Sequence, residues 1–362
     1  MKMMEIRRFF LGITTHFNMI CSYCFVKDTN EFMILSDAKK YLRFFLKSAG
    51  KDKLLYLYGG EPLICFDFIE KIVPFFYQKA EKLGKTPSVI FVTNGTILNK
   101  EIADFISQYK IKVMISLSGQ EKSHNLFRKF KNGQGTFIAI KKNLPKFFRA
   151  VKKEELWVSY TLHPLMLSNF SKDFFYLVND LGFKNIHLEP VQYTSRVYWN
   201  NSQLVKFRRV VSSTFNFIEK NIKRNKFYFN SKVIRNLEIL LGIAPKEDFL
   251  YSIYNNLRVW PYSKLTFSHF APNLDKKYLA YQGLFRKGFS DFIDQPRKKD
   301  LEKIFHSSIE MSKQGPVYFG AGEKIWSIYD DICQKFAEKL IKCAKKSKNF
   351  KKYIQEALRR AI

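Results

Sequence analysis

The sequence predicts an α/β fold in which strands and helices alternate over the first half, followed by a smaller α+β region. Three observations carry that prediction. Short apolar runs alternate with longer stretches of helical period. Unusual polar sequences follow the ends of the apolar runs and not their starts. After about residue 225 the alternation gives way to another pattern.

In order, Ile6 to Thr14 reads as a strand, and Ser36 to Lys47 as a helix opened by Ser36 and Asp37. Leu54 to Tyr58 is a short apolar strand that ends in Gly59-Gly60, and Pro62 to Leu83 is a helix broken or kinked near Pro74. Ser88 to Thr93 reads as strand, Lys100 to Tyr109 as helix, and Lys112 to Leu117 as strand. Thr136 to Phe148 follows as helix, Leu156 to Leu162 as strand, Ser168 to Leu181 as helix, and Asn185 to Val191 as strand. A helix over Ser202 to Ile222 closes the series.

Such alternation builds parallel sheets through right-handed crossovers. About six units fit before residue 200, too few for a closed eight-stranded barrel. Residues 1–225 are therefore expected to form a partial (β/α)6 TIM-like barrel, and residues 226–362 a C-terminal extension. In that extension, Arg258 to Phe270 reads as a hairpin turning at Pro261-Tyr262-Ser263, and Ile325 to Ala361 as one basic amphipathic helix.

Composition narrows the function classes. Apolar residues are 46% of the 362, enough for a sizeable core, which excludes wholesale disorder. Five cysteines, at positions 21, 24, 65, 333 and 343, are too few for a disulfide scaffold. No apolar stretch reaches the length of a membrane span. The start imitates a signal peptide, but Thr14, Thr15, His16 and Asn18 break its apolar run, and a cytoplasmic protein with reduced thiols is expected.

The 62 basic residues against 32 acidic give +30, the balance expected for an anionic partner such as nucleic acid, an acidic peptide or a membrane surface. The charge is spread, however: +13 on residues 1–200 (30 basic, 17 acidic) and +17 on residues 201–362 (32 basic, 15 acidic). No recognisable RNA-binding motif stands out, so much of it reads as solvated surface.

In parallel barrels, functional groups collect in loops after the strands. Here those loops read Thr15 to Cys24, Gly59-Gly60-Glu61-Pro62, Thr93-Asn94-Gly95-Thr96, Ser118-Gly119 and Glu189-Pro190. The Cys21-x-x-Cys24 pair alone is a weak signal: a redox pair, half a zinc site or chance. Its surroundings say more. The run Thr14-Thr15-His16-Phe17-Asn18-Met19-Ile20-Cys21-Ser22-Tyr23-Cys24 comes first, then Gly59-Gly60-Glu61-Pro62, Thr93-Asn94-Gly95-Thr96 and Ser116-Leu117-Ser118-Gly119. His124, Arg128 and Gly133-Gln134-Gly135-Thr136-Phe137 follow. In order and spacing this set, over about residues 6 to 195, resembles the radical S-adenosylmethionine superfamily, particularly anaerobic sulfatase-maturating enzymes and ribosomal-peptide maturases.

The resemblance implies a 4Fe–4S cluster held by three thiolates, with S-adenosylmethionine on its open iron. Cys21 and Cys24 match the second and third cluster ligands. Tyr23 matches the residue beside the adenine, and Gly59, Gly60 and Glu61 the edge that receives the methionine amino group, the glycines leaving room for close approach. Asn94 joins the cofactor-binding set, and Ser116 matches a polar residue near the methionine carboxylate or ribose.

Three departures accompany the match. Position 17, where the first ligand belongs, is Phe17, which has no lone pair. The cysteines of the family's C-terminal SPASM or twitch module are missing, leaving a cysteine-poor remnant around Arg258 to Phe270 and Gly315 to Gly322. Ser118 stands where the family usually has Asp. His16 and Cys65 are the candidate replacements for the missing ligand. His187 and Glu189, Trp260 and His269, and Asp275, Asp291 and Asp294 are further candidates for cofactor or substrate contacts. The expected function is a pseudoenzyme or binding partner in peptide or protein modification, engaging a peptide or protein of acidic character, with S-adenosylmethionine binding that outlives the cluster. The alternatives are an active radical enzyme abstracting hydrogen from a peptide or protein, and a basic nucleic-acid-binding protein.

Overall fold

A computed structural model describes residues 6–24, 26, 28–191, 197–243, 257–260, 264–266 and 320–360. His269, Asp275, Asp291 and Asp294 lie outside the described residues, as does the side chain of Trp260.

Strands β1 (Arg8–Thr14), β3 (Asp52–Gly59), β4 (Thr86–Thr93), β5 (Lys112–Ser116), β7 (Leu156–Leu162) and β8 (Asn185–Pro190) are the six expected from the sequence, paired parallel in chain order. Their alternation explains the burial. Leu55, Leu57, Val89, Phe91, Val113, Ile115, Val158 and Leu188 point to one face and are buried. The opposite face carries a row in register, Ser116, Ser159 and His187, all half-buried.

The crossovers are α1 (Leu35–Lys47), α2 (Phe66–Lys82), α3 (Lys100–Gln108), α4 (Glu121–Phe127), α5 (Phe137–Ala150) and α6 (Phe170–Phe175). In α1, Ala38, Leu42 and Phe45 recur at helical spacing and are fully buried. Phe45 stacks on Phe9 of β1 at 5.1 Å and on Phe76 of α2 at 6.0 Å, tying the first two crossovers to the sheet. Of the break or kink expected near Pro74, the break is absent: α2 runs through it, and Pro62–Cys65 forms a separate short 3-10 segment after the Gly59-Gly60 bend. The helix expected over Ser168 to Leu181 is α6 followed by a π turn at Tyr176–Asp180.

Two short strands that the sequence did not signal, β2 (Met19–Cys21) and β6 (Arg128–Phe130), pair antiparallel outside the main sheet. Beyond α7 (Asn201–Lys223), β9 (Phe229–Asn230) adds to β8, α8 (Ser231–Leu240) follows, and β10 (Leu257–Trp260) adds parallel to β1 with β11 (Lys264–Thr266) antiparallel beside it. The expected hairpin is thus present as β10–β11, and it extends the main sheet. The complete order is β11-β10-β1-β3-β4-β5-β7-β8-β9.

The single terminal helix expected from the sequence is two, α9 (Gly320–Ala344) and α10 (Lys348–Arg359), parted at Ser347, whose backbone is extended. The break lets the apolar face of α10 fold back on β9: Tyr353 stacks on Phe229 at 5.0 Å and its hydroxyl donates to the Tyr228 carbonyl at 3.0 Å. Among the described residues, no helix is long and apolar enough to cross a membrane.

Candidate functional site

The loop after β1 is held in place by its own polar groups. Thr15 N–H donates to the Glu31 carbonyl at 2.9 Å, Glu31 N–H returns a bond to Thr15 Oγ1 at 3.0 Å, and Thr14 Oγ1 donates to the same Glu31 carbonyl at 2.7 Å. Inside this clasp, the β2–β6 pairing sets Cys21 opposite Arg128, and Cys24 N–H closes a turn on the Cys21 carbonyl at 2.9 Å.

The two thiols have different surroundings. Cys21 packs on the edge of the main core, with Arg128 Nη1 3.7 Å from its Sγ. Cys24 belongs to a separate small apolar group of Phe17, Val26 and Tyr58. Phe17, at the position where the sequence match expects the first cluster ligand, is half-buried and packs against Val26, as Cys24 and Tyr58 do. Burial pushes the Cys21 thiol up, partly countered by Arg128, and pushes the Cys24 thiol up to about 12.

Neither candidate replacement joins the pair. His16 Nδ1 lies 3.1 Å from Asp28 Oδ1, and Asp28 in turn meets Lys131 at 2.9 Å. Cys65 stands just before α2 without capping it through its side chain, its thiol pushed up to about 11 by burial. Among the described residues, no group of three His, Cys, Asp or Glu side chains is placed to hold a metal ion. The donor set does not fit a cluster anchored by three thiolates.

Gly59-Gly60-Glu61 and Thr93-Asn94-Gly95-Thr96 come together below this loop. Gly60 N–H donates to the Thr14 carbonyl at 2.6 Å and Glu61 N–H to the His16 carbonyl at 2.9 Å. The glycines are needed for that contact: a Cβ on Gly59, whose φ is +136°, would sit 2.3 Å from the Thr14 oxygen, and one on Gly60 would sit 2.0 Å from the His16 oxygen. What approaches these glycines is the protein's own cysteine loop. Asn94 braces the same loop, donating from Nδ2 to Asn18 Oδ1 at 2.8 Å, while Asn18 donates to Thr96 Oγ1 at 2.8 Å.

Glu61 is fully buried, and its carboxylate accepts from Thr93 Oγ1 at 2.7 Å, Asn94 N at 2.7 Å and Leu63 N at 3.1 Å. Burial outweighs these donors and pushes the carboxyl up to about 7 from an ordinary 4.5. As pH rises from about 4.5 to about 7, the unfolded chain loses this proton while the fold keeps it. Glu61 should therefore make stability fall across that window and level off above it. Glu61→Gln would turn an amide N–H2 toward backbone and hydroxyl donors and cost about 2 kcal/mol. Urea denaturation across pH checks both expectations: the variant should be weaker, and its pH slope should be shallower by the Glu61 contribution.

Next to Cys21 three buried polar atoms, Tyr23 Oη, Ser118 Oγ and Arg128 Nε, lack a hydrogen bond of good geometry, although the Tyr23 hydroxyl lies close to Ser118, Thr161 and Arg128. The Arg128 guanidinium lies over the Tyr23 ring at 5.4 Å and forms no ion pair with any carboxylate of the described residues. His124 supports the group from behind. Its Nδ1 accepts from Ser118 N–H at 3.2 Å, and Thr136 Oγ1, which donates to the Arg128 carbonyl at 3.2 Å, lies 2.9 Å from Nε2. That pattern fixes a neutral ring protonated on Nε2, in keeping with burial holding its pKa well below the usual value. Arg128 was quoted in the sequence match without a role, and nothing in the run Arg128-Lys129-Phe130-Lys131 set it apart from its basic neighbours; its burial does, since Lys129 is exposed.

Ser116 sits further along the row with Ser159 and His187. His187 is held between Ser231 Oγ at 2.7 Å and Glu189 Oε1 at 3.0 Å, a hydrogen-bonded set that joins β8 to α8.

Comparison with known proteins places this geometry. A family model described as the radical SAM superfamily matches residues 14–176. The chain is 31% identical over 144 residues to MJ0907 of Methanocaldococcus jannaschii, covering 37% of this chain and 49% of that protein. It is 24% identical over 196 residues to the radical SAM cyclopropyl synthase TigE of Paramaledivibacter caminithermalis, covering 49% and 38%. It is 23% identical over 185 residues to the serine-type anaerobic sulfatase-maturating enzyme of Bacteroides thetaiotaomicron, covering 48% and 43%. The chain spans less than half the length of each of these relatives. Among solved structures, native anSMEcpe with bound AdoMet and Cp18Cys peptide aligns with a TM-score of 0.69 at 17% identity, over 93% of this chain and 98% of that one. Streptococcus suis SuiB bound to its precursor peptide SuiA aligns with a TM-score of 0.55 at 14% identity, over 81% and 66%. These likenesses establish the fold.

Proposed function

We propose that the chain, whose residues 14–176 match the radical SAM superfamily, is a pseudoenzyme: a binding partner in peptide or protein modification that keeps the fold of a maturase without its iron–sulfur cluster. One observation carries this reading. Phe17 does more than remove a ligand, because its ring packs against Val26 in the same small apolar group as Cys24 and Tyr58. Two thiolates remain, and burial disfavours ionisation of both. A fold can outlive its chemistry, since site and scaffold are separable. The peptides bound by anSMEcpe and SuiB support a peptide or protein as the partner here.

The test is anaerobic reconstitution of the wild-type chain with iron and sulfide. Almost no retained iron is expected; a count near four per chain, with a spectrum altered by S-adenosylmethionine, would restore the radical-enzyme reading.

S-adenosylmethionine itself is a separate matter. Arg128 Nε, Tyr23 Oη and Ser118 Oγ, buried together without hydrogen bonds of good geometry, fit a ligand that brings a carboxylate and hydroxyl groups beside Cys21. In active relatives the bound group supplies a radical; here these residues would only bind and orient it. A buried guanidinium without a carboxylate partner is costly in the empty protein. Arg128→Met is therefore expected to raise stability by about 1–3 kcal/mol while abolishing the heat of S-adenosylmethionine binding. Thermal denaturation and calorimetric titration of the apo-protein check the two halves. A variant that is less stable, or that binds as the wild type does, would sink the assignment.

A further inference from the structure

The densest run of positive charge in the chain lies at the corner between α9 and α10. Residues 339–352 hold seven lysines and no aspartate or glutamate. Two of the seven are engaged, Lys339 with Glu219 at 2.6 Å and Lys352 with Asn225 Oδ1 at 3.5 Å. The side chains of Lys342, Lys345, Lys346, Lys348 and Lys351 make no ion pair or hydrogen bond with the described residues.

The break that lets α10 fold back on the sheet also opens a recess of about 650 Å³ beneath these lysines. Its less exposed lining is apolar, Ile341 of α9 and Ile354 of α10, with the exposed Leu241 after α8 at its edge. Its rim is Lys345, Lys346, Lys348 and Lys351, and among the described residues no carboxylate lines it. The apolar surface continues outward, with Leu240, Leu241 and Ile243 each 40% exposed or more.

An apolar lining inside a cationic rim selects a ligand that is apolar on one face and acidic at its margins. Nucleic acid fits poorly. The apolar lining offers nothing to a phosphate, and the corner's aromatic side chains, Phe350 and Tyr353, are buried and present no face for base stacking. A bilayer would need the apolar groups to stand above the lysines, as on an amphipathic surface helix, and here Ile341 and Ile354 are less exposed than Lys345, Lys346, Lys348 and Lys351 around them. We propose that the α9–α10 corner is a docking site for an acidic amphipathic peptide segment. This rests on the binding-partner reading for the class of partner, and not for the state of the cysteine loop.

The test uses the full chain and a fluorescent peptide of about sixteen residues with Leu on one helical face and Glu on the other. The paired reversal Lys345→Glu and Lys348→Glu, and separately Leu241→Ser, should each weaken binding by about tenfold or more with unchanged circular dichroism. A peptide of equal charge lacking the leucines should bind at least about tenfold more weakly. Unchanged affinity in either variant overturns the proposal. So does an oligonucleotide or a phosphatidylserine vesicle that binds more tightly than the peptide and ignores Leu241→Ser. Iron uptake by the wild type would defeat the pseudoenzyme reading and leave this surface standing, so the two can fail separately.

Discussion

Phe17→Cys is expected to convert a chain that retains almost no iron into one that retains about four irons after anaerobic reconstitution. The rest of the loop is already built: Thr14, Thr15 and Glu31 clasp it, β2–β6 fixes Cys21, and the turn at Cys24 is closed by its own hydrogen bond. The substitution adds the third thiolate and removes the ring from the Val26–Tyr58 group in one step. Losing a half-buried ring costs about 1–2 kcal/mol, small beside the free energy a metal centre contributes to its fold. Because the thiols are held protonated by burial, uptake should release protons and improve with rising pH. Iron and labile-sulfide counts with an absorption spectrum read the result, and Phe17→Ser, which loses the ring and gains no ligand, should stay iron-free. If Phe17→Cys stays iron-free as well, the loop has drifted by more than one residue and the retained-scaffold argument fails.

Gly60→Ala is expected to cost about 3 kcal/mol or more. The added carbon would lie 2.0 Å from the oxygen, 2.7 Å from the carbon and 2.9 Å from the nitrogen of the His16 backbone. Backbone cannot swing aside as a side chain can. The cysteine loop would have to lift, breaking the bonds from Gly60 N–H to Thr14 and from Glu61 N–H to His16. Gly84→Ala supplies the contrast. Its φ is +61° but nothing lies within 4 Å of the new carbon, so only the conformational penalty of about 1 kcal/mol remains. Equal losses in the two variants, measured by urea denaturation, would show that the close contact at Gly60 has been misjudged.

The parallel strands were legible because each is a short apolar run flanked by turn residues, and Leu156–Leu162 was placed to the residue. The site loops were legible for the same reason, since they had to follow the strands. The glycine logic was legible only in part. Sequence marked Gly59 and Gly60 as places of close approach, but what approaches them is the His16 and Thr14 backbone, a contact between loops some forty residues apart. The β2–β6 pair escaped notice because three-residue strands carry no periodicity, although that pair sets Arg128 against Cys21. The terminal helices read as one because helical period persists through Lys345-Lys346-Ser347. The turn there is imposed by packing of Phe350, Tyr353 and Ile354, not by a local breaker.

The sheet's two flanks have a bearing on how the chain can be divided. β1 is bordered by β10 and β8 by β9, and both added strands come from beyond residue 225. Cut there, the chain would keep all six crossover strands and lose the neighbour on each side. Two rows of amide and carbonyl groups would then face solvent, in strands too apolar to tolerate it, and such margins recruit other chains into intermolecular pairing. The late residues thus act as selvedges on a woven cloth: they add little to the pattern and stop it from fraying into its neighbours.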